Sequence, residues 1–259
     1  MSFEADILDR VKMREIFQMV RPDGVIHLAA RAGVTEAEAS DAAAQSYFDV
    51  NVKGTDVITQ LCNTFGVSFL ANAGSSSEFG SQAWDGRSLR PQSEKSRLVP
   101  EGNYGRTKVF SEMLLSARAL GNASAQHTLV TTFFNPIGTG ERGLLVPLMT
   151  RKLLGFAAQR SGQFTVYDQY RRCTPVNQTL EHLFRGVERM LDAGPNYAKL
   201  DYQHCGGGIT SNNRTIAELA LEALGRFVRE KQLFEGIDFN EFACFTCEEG
   251  GRQGDVKAT

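Results

Sequence analysis

The sequence lacks the features that would indicate a membrane, secreted or nucleic-acid-binding protein. It contains no apolar run long enough to cross a bilayer, and no signal peptide, because charged residues follow Met1 almost at once. Its 28 lysines and arginines are matched by 30 aspartates and glutamates, so no excess of positive charge favours nucleic acid or a membrane surface. These absences predict a cytoplasmic protein with neither a membrane nor a nucleic-acid partner.

Cysteines are few and irregularly spaced. Five cysteines in 259 residues are an odd number, which argues against a disulfide framework. Cys244 and Cys247 form a CxxC pair, but a structural zinc site needs a second pair of ligands at matched spacing, which we do not find. We therefore predict no metal site and interpret the thiols as buried or incidental.

What the sequence does contain is an alternation of helix-like and strand-like segments. Apolar residues at helical spacing over residues 8–20 precede a continuous apolar run at 24–30, typical of a strand buried on both faces. The same order follows twice more, with helices predicted at about 41–65 and 104–120 and strands at about 67–71 and 128–134. This alternation predicts an α/β fold with a doubly wound parallel sheet.

The most specific chemical signal is the pair formed by Tyr104 and Lys108. Two residues four apart on a helix lie on the same face, one turn from each other. An ammonium group beside a phenol lowers the pKa of the phenol from about 10 towards neutrality. The spacing therefore predicts a tyrosine that exchanges a proton with a hydroxyl or carbonyl group.

A loop of small residues precedes this helix by about 25 residues, at the end of a predicted strand. It reads Gly74-Ser-Ser-Ser-Glu-Phe-Gly80. A serine hydroxyl in this loop would bond the same reacting oxygen and orient it towards Tyr104. The order of strand, serine loop and YxxxK helix is much less frequent by chance than either motif alone.

Taken together, these motifs resemble the extended short-chain dehydrogenase/reductases that epimerise, dehydrate or reduce nucleotide-bound sugars. The segment beginning at His27 is similar to the HLAA segment of this NAD-dependent epimerase/dehydratase family, and Asn51-Val-Lys-Gly-Thr55 is similar to its N-V-x-G-T segment. Phe133-Phe-Asn-Pro-Ile-Gly138 is similar to its F-N-x-x-G segment. The resemblance extends from Asp6 to Asp255.

The resemblance implies specific roles for these residues. Ser75, Tyr104 and Lys108 match the catalytic positions, with Ser76 a close rival of Ser75 because the loop varies in length. Lys108 would also hold the ribose of the cofactor, NAD or NADP. The other cofactor-binding residues implied are Asp6, Ile7, Leu28, Ala29, Ala30 and Tyr104.

The resemblance also implies a nucleotide-sugar substrate. The matching positions are Ser76, Asn135, Arg171, Arg252 and Asp255. The two arginines would bind the diphosphate through their planar guanidinium groups, and Asp255 would bond a ribose hydroxyl.

The sequence departs from the family pattern in several places. The glycine-rich turn G-x-x-G-x-x-G, expected some fifty residues before the HLAA segment, is not present. We therefore expect a Rossmann-type sheet that lacks its first strands, in an N-terminally truncated member whose strand at 24–30 is an apolar edge. Arg172, Pro175 and Gly74 also stand where the family has other residues.

The domain organisation follows from the resemblance and from a loosening of the pattern after Pro136. We predict a partial dinucleotide-binding domain over residues 1–138. Residues 139–259 are predicted to form mainly a substrate-binding lobe, with a helix near 176–193 that packs back on the sheet.

Three functions remain open. The first is a 4-epimerase in which Tyr104 moves a proton while hydride leaves and returns to a sugar carbon. The second is a reductase of the GDP-4-keto-6-deoxymannose type, and the third is a non-catalytic relative that binds a nucleotide sugar or a protein partner. The resemblance also implies a homodimer that pairs through the helices near 41–65 and 104–120.

Overall fold

The structure is a computed structural model that describes residues 1–83, 92–121, 126–138, 150–151, 154–155, 164–167, 170–194, 199–206, 209–231 and 245–248. For residues 81–83, 164–167, 170–172, 209–210, 228 and 245–248 it describes the backbone alone.

Four parallel strands form the central sheet. In their order across the sheet they are β1 (Gly24–His27), β2 (Phe69–Ser75), β3 (His127–Phe133) and β7 (Leu200–Cys205). Ser75 lies opposite Phe133, which in turn lies opposite Cys205, so the carboxyl ends of three strands meet at one edge. The predicted parallel α/β sheet is confirmed.

The first helix and strand are shorter than their apolar patterns predicted. Helix α1 (Arg10–Val20) begins after Asp9, whose carboxylate accepts the N–H of Lys12 at 3.0 Å as an N-cap. Strand β1 ends at His27, three residues earlier than predicted, because residues 28–30 do not pair with β2, whose last three residues pair with β3 alone.

The predicted long helix at 41–65 is present, but a π-helical turn interrupts it. Helix α3 (Asp41–Phe48), the π-turn (Asp49–Lys53) and helix α4 (Gly54–Phe65) follow one another without a break, after the short helix α2 (Val34–Ala37). Gly66 ends α4 with a φ of 67°, the left-handed conformation that glycine adopts without steric cost. The π-turn falls on the N-V-x-G segment, as π-turns often do at functional sites.

Helices cover both faces of the sheet. Helix α5 (Asn103–Leu120) packs with α1 and α4 on one face, around a core that includes Leu61, Leu70, Leu115 and Val130. Helix α6 (Val176–Ala193) packs on the other face through Leu183, Val187 and Met190. Removing these apolar side chains from water stabilises the sheet by roughly 1.5–3 kcal/mol for each large residue.

The remaining elements form two smaller sheets and a further helix. Strand β6 (Tyr170–Pro175) pairs with β4 (Pro136–Ile137) and antiparallel with β8 (Ile209–Asn212). Strand β5 (Phe164–Tyr167) pairs with β9 (Phe245–Glu248), and helix α7 (Asn213–Glu230) follows β8. Cys62, Cys173 and Cys205 are buried free thiols, whereas Cys244 lies outside the described residues.

The outer edge of the sheet is apolar, as expected. No other strand among the described residues pairs with the free edge of β1, and Ile26 and Leu28 are 37% and 51% exposed there. Met13, Phe17 and Val20 of α1 line a groove beside them. No described helix has the length and apolar character that a membrane span requires.

His27, the last residue of β1, is buried as a neutral imidazole. The hydroxyl of Thr55 donates its single proton to the carbonyl oxygen of Asn51 at 2.6 Å. The Nε2 atom of His27, 3.1 Å from that hydroxyl, must therefore be the donor to it. Burial and then the charge of Lys108 lower the pKa of His27 to about 4.

We predict that His27 makes the protein less stable in mild acid. Its folded-state pKa is depressed from 6.5 to about 4, so the unfolded chain binds a proton first as the pH falls through this window. The loss reaches on the order of 3 kcal/mol below the folded-state pKa. His27→Gln keeps a donor for Thr55 but does not titrate, so urea unfolding between about pH 7 and pH 4 should show a smaller loss for the variant. Equal losses in the two proteins would contradict the prediction.

Candidate active site

The carboxyl edge of the sheet brings the predicted catalytic residues together. Ser75 ends β2, and the 3₁₀-helical segment Ser76–Ala83 carries the chain away from the sheet. Tyr104 and Lys108 lie on the first two turns of α5, which packs directly against that segment. Two elements distant in sequence thus meet at one point, as the order of motifs predicted.

Tyr104 and Lys108 are both buried, with 9% and 6% of their surface exposed. The hydroxyl of Ser75 lies within hydrogen-bonding reach of Tyr104. The Oγ atom of Ser75 also accepts the N–H of Ser77 at 3.2 Å, which orients the serine side chain. The geometry therefore favours Ser75 over Ser76 as the serine that faces the tyrosine.

Glycine makes the close contact between α5 and the serine loop possible. A Cβ atom on Gly105, next to Tyr104, would lie 2.5 Å from the carbonyl oxygen of Ser77. Gly80 has a φ of 58°, and a Cβ atom there would lie 2.2 Å from the carbonyl oxygen of Val99. Any larger residue would push the loop away from the helix, so both glycines fix the distance between Ser75 and Tyr104.

Asn51, in the π-turn, links the segment after β1 to helix α5. Its Oδ1 atom accepts the N–H of Arg31 at 2.8 Å, and its Nδ2 atom donates to Thr107 Oγ1 at 2.9 Å. Its carbonyl oxygen accepts the hydroxyl of Ser111 at 2.6 Å. The buried side chain of Asn51 thus holds Arg31 at a fixed distance from the helical turn between Tyr104 and Lys108.

Tyr47 supports Tyr104 from the other side. The two rings meet edge to face, with centroids 6.4 Å apart. The hydroxyl of Tyr47 donates to Glu36 and accepts the N–H of Gly33, both at 3.0 Å, and Arg31 lies over its ring. These contacts leave the Tyr104 ring little freedom to rotate.

The protonation state of Tyr104 differs from the expectation. Burial, together with the charges of Glu78 and Tyr47, raises the pKa of Tyr104 above its usual value of 10, while the bond from Ser75 opposes this. Burial also lowers the pKa of Lys108, one turn further along α5. At neutral pH Tyr104 therefore holds its proton and is arranged as a donor.

The predicted cofactor-binding residues occupy two places. Leu28, Ala29 and Ala30 are exposed and follow β1 at its carboxyl end, on the edge that carries Ser75. Asp6 accepts the N–H of Leu8 at 2.9 Å in the turn before α1. Ile7 packs into the core against Gly54, where a Cβ atom would lie 2.3 Å from its Cδ1.

The structure describes only part of the predicted substrate-binding set. Ser76 and Asn135 are half-buried and follow β2 and β3, and Asn135 adopts a left-handed backbone with a φ of 39°. Its carbonyl oxygen accepts the N–H of Thr174 at 3.2 Å. The backbone of Arg171 pairs with Ser211 across β6 and β8, and Arg252 and Asp255 lie outside the described residues.

The motif matches alone did not assign a role to three residues that shape the site. Asn51 was matched as part of a segment, yet an asparagine inside a long helix already suggests a buried hydrogen-bonding role. Nothing in the sequence around Tyr47 indicated a functional role for it. Glu78, in the serine loop, is 1% exposed, and a carboxylate among serines had no evident use in the sequence.

Known proteins resemble this chain in sequence. The model of the NAD dependent epimerase/dehydratase family matches residues 2–169. The UDP-glucose 4-epimerase of Neisseria meningitidis serogroup B is 31% identical over 148 residues, which are 55% of this chain and 40% of that enzyme. The UDP-glucose 4-epimerase of Haemophilus influenzae is 28% identical over 180 residues, 65% of this chain and 51% of that enzyme. The chain thus matches about half or less of the length of these curated relatives.

Solved structures share the fold. UDP-glucose 4-epimerase from Brucella ovis, in complex with NAD, aligns with a TM-score of 0.69 and 24% identity over 86% of this chain and 68% of that one. The dTDP-glucose 4,6-dehydratase DesIV from Streptomyces venezuelae, with NAD and TYD bound, aligns with a TM-score of 0.72 and 23% identity over 95% of this chain and 66% of that one. At these identities the alignments establish the Rossmann-type fold.

The parallel sheet, the serine loop that meets a YxxxK helix at its carboxyl edge, and the family match over residues 2–169 lead to one conclusion. The chain belongs to the NAD-dependent epimerase/dehydratase family of extended short-chain dehydrogenase/reductases.

Proposed function

We propose that this chain carries the proton-transfer site of an NAD(P)-dependent nucleotide-sugar epimerase. The observation that carries the proposal is the contact between Ser75 and the buried Tyr104, one helical turn before Lys108. In this reaction the Oη atom of Tyr104 exchanges a proton with the oxygen of a sugar carbon, and Ser75 bonds the same oxygen. The UDP-glucose 4-epimerase relatives support an epimerase over the other activities of the family.

The exposed segment 28–30 fits the part of a dinucleotide nearest the reacting atoms. Its small residues, Ala29 and Ala30, leave the backbone open, and the charge of Lys108 acts on the adjacent His27. Leu28, Ala29 and Ala30 would lie against the cofactor, and Lys108 would donate to its ribose hydroxyls. When bound, the cofactor would supply a reversible hydride acceptor for the sugar carbon.

Tyr104 needs a change in its electrostatic surroundings to act as a base. Its raised pKa makes it a proton donor to a carbonyl oxygen at neutral pH. To accept a proton from a hydroxyl, it needs additional positive charge to offset burial. We infer that a bound ligand close to Tyr104 supplies this charge.

The substrate side of the proposal rests on positions around the same edge. Ser76 and Asn135 follow the ends of β2 and β3 and would bond the sugar. Arg171, Arg252 and Asp255 would bind the nucleotide, as the resemblance implies. We assign these last contacts to a mainly substrate-binding lobe over residues 139–259.

Tyr104→Phe tests the proposal because it removes one hydroxyl and keeps the ring. We expect NAD+ and NADPH to bind the variant within a few-fold of the wild-type affinity in calorimetric titrations. Interconversion of UDP-glucose and UDP-galactose should fall by about 100- to 10,000-fold in kcat, the usual contribution of a general acid–base group. If the wild-type chain binds a nucleotide sugar but does not convert it, the non-catalytic alternative is favoured. If it reduces a 4-keto sugar with NADPH, the reductase is favoured.

The two candidate serines have different expected effects. Ser75→Ala should lower kcat, on the order of tenfold or more, because it removes a donor to the reacting oxygen. Ser76→Ala should chiefly raise KM, since we assign that residue to sugar binding. Ser116→Ala, which removes a half-buried hydroxyl on α5 that is bonded to Tyr202 at 2.8 Å, is the matched control. A larger kcat loss for Ser76→Ala than for Ser75→Ala would reverse the assignment.

We also propose that the chain forms a homodimer through α3 and α5. Phe110 and Met113 on α5 are 48% and 60% exposed, and Phe48 of α3 meets Phe110 edge to face. Exposed apolar residues on neighbouring helices are typical of an interface. Phe110→Glu combined with Met113→Glu should convert a dimer into a monomer in size-exclusion chromatography with light scattering. Leu191→Glu on α6, a site with 58% exposure, should leave the mass unchanged, and a monomeric wild-type protein would refute the pairing.

A further inference from the structure

The carboxyl group of Glu78 is buried beside Ser75. The Oε1 atom of Glu78 accepts the N–H of Ser75 at 2.9 Å. Its Oε2 atom is also buried, and no N–H or O–H group among the described residues donates to it. A buried oxygen without a donor is unusual, because its desolvation is not compensated. A proton on the carboxyl group of Glu78 explains how this oxygen can be buried without a donor.

Glu112 supplies the partner for that proton. It lies on α5 one turn beyond Lys108 and two turns beyond Tyr104, on the same face of the helix. The side-chain contact between the two carboxyl groups raises the pKa of Glu78 and lowers the pKa of Glu112. Two ionised carboxylates only accept hydrogen bonds, so this contact requires that one of the two groups is protonated.

The charges around Glu78 and Glu112 are consistent with one proton shared between the two carboxyl groups. The other titratable groups that face it are Lys108 and Tyr104 from α5 and Tyr202 from β7. With one proton on Glu78, the pair carries one negative charge, which lies on the half-buried Glu112 and not on the fully buried Glu78. Two ionised carboxylates would place a second charge on the fully buried Glu78, which is unfavourable.

Gly74 provides the space for Glu78. A Cβ atom at Gly74 would lie 3.2 Å from the Oε1 atom of Glu78 and 3.1 Å from the Oγ1 atom of Thr132. The departure from the family pattern at Gly74 therefore has a physical reason. A side chain there would crowd the carboxyl group that holds the backbone of Ser75.

We propose that Glu78 and Glu112 hold one proton between them and act as a positioning pair, which fixes Ser75 relative to Tyr104. This rests on the proposed function in assigning Ser75 and Tyr104 to proton transfer. The neutral Glu78 holds the serine loop through the N–H of Ser75, and Glu112 connects it to α5, the helix that carries Tyr104. Neither residue touches the substrate.

The pair makes the site sensitive to alkaline pH. Burial, and then the charge of Glu112, raises the pKa of Glu78 to about 8, while Ser75 and Lys108 oppose the shift. As the pH rises through this value, a second negative charge appears and further disfavours the phenolate of Tyr104. A raised folded-state pKa also means that the stability from this proton is present below about 4.5 and is lost as the pH rises through about 8.

Carbon-13 NMR of the full chain labelled at the glutamate carboxyl carbon tests the shared proton directly. We expect a resonance that titrates with a midpoint near 8 and disappears in Glu78→Gln. In Glu112→Gln the midpoint of Glu78 should fall by at least one pH unit, because the charge that holds its proton is gone. Glu188→Gln, at an exposed site on α6, should leave the midpoint unchanged. Ordinary glutamate midpoints for both residues, or a midpoint near 8 that survives Glu112→Gln, would overturn the pairing.

Kinetics test the positioning role. Gln at position 78 keeps an acceptor for Ser75 and a donor for Glu112, so Glu78→Gln should retain kcat at neutral pH within about threefold. The alkaline fall in kcat should move up by at least one pH unit. Glu78→Leu removes both bonds and should lower kcat at least tenfold with little change in cofactor affinity. Equal losses in the two variants, with both folded by circular dichroism, would refute the positioning role.

The two measurements separate the inference from the proposed function. The NMR titration needs neither cofactor nor substrate, so an inactive wild-type chain that shows the coupled titration supports the pair and refutes the epimerase. An active chain without that titration refutes the pair alone. If Glu78→Leu does not fold, Glu78→Gln and Glu112→Gln still decide the outcome through the titration and the pH profile.

Discussion

The hydrogen bonds of one buried amide, that of Asn51, hold the site together. Asn51 lies in the π-turn between α3 and α4 and contacts two parts of the chain that are far apart in sequence. It bonds both backbone groups of Arg31, and it bonds Thr107 on α5 at 2.9 Å. These partners satisfy its side chain, and the hydroxyls of Thr55 and Ser111 satisfy its backbone carbonyl. The turn therefore cannot shift without leaving buried polar groups unpaired. The exposed segment after β1 and the Tyr104 helix are therefore held at a fixed separation.

Burial has opposite consequences for different residues of this site. It makes Tyr104 a weaker acid and Lys108 a weaker base, so the spacing of the pair does not by itself yield a reactive phenolate. Glu78 acts on both groups, because its charge raises the pKa of Tyr104 and opposes the fall in the pKa of Lys108. Burial also keeps His27 neutral next to Lys108, which avoids a second positive charge at the end of β1. The chemistry of the site is thus a property of the whole cluster, and a description restricted to Ser75, Tyr104 and Lys108 leaves out the groups that set its protonation.

The comparison of expectation with structure shows where sequence reasoning is reliable. The positions of the long helices and of the three predicted strands were right to within a few residues, because apolar periodicity reflects which face of each element is buried. The end of β1 was wrong, since a strand continues only where a neighbour offers hydrogen bonds, and β2 does not pair with residues 28–30. The expectation that Lys108 lowers the pKa of Tyr104 did not account for the loss of hydration around both groups or for the charge of Glu78. Ser75 and Ser76 could not be separated from the loop sequence, because the distinction depends on which hydroxyl faces α5.

The sequence by itself determined the fold class, the family and the two segments that meet at the site. These follow from local patterns: apolar period, the glycines of the serine loop and the four-residue spacing of Tyr104 and Lys108. The tertiary structure alone decided which groups become buried together. Glu78 reads as a solvated loop carboxylate in the sequence, and it becomes a buried group only because α5 closes over the loop through Gly105. Protonation depends on the dielectric and the charges that surround a group, and those are set by contacts between residues that lie far apart along the chain.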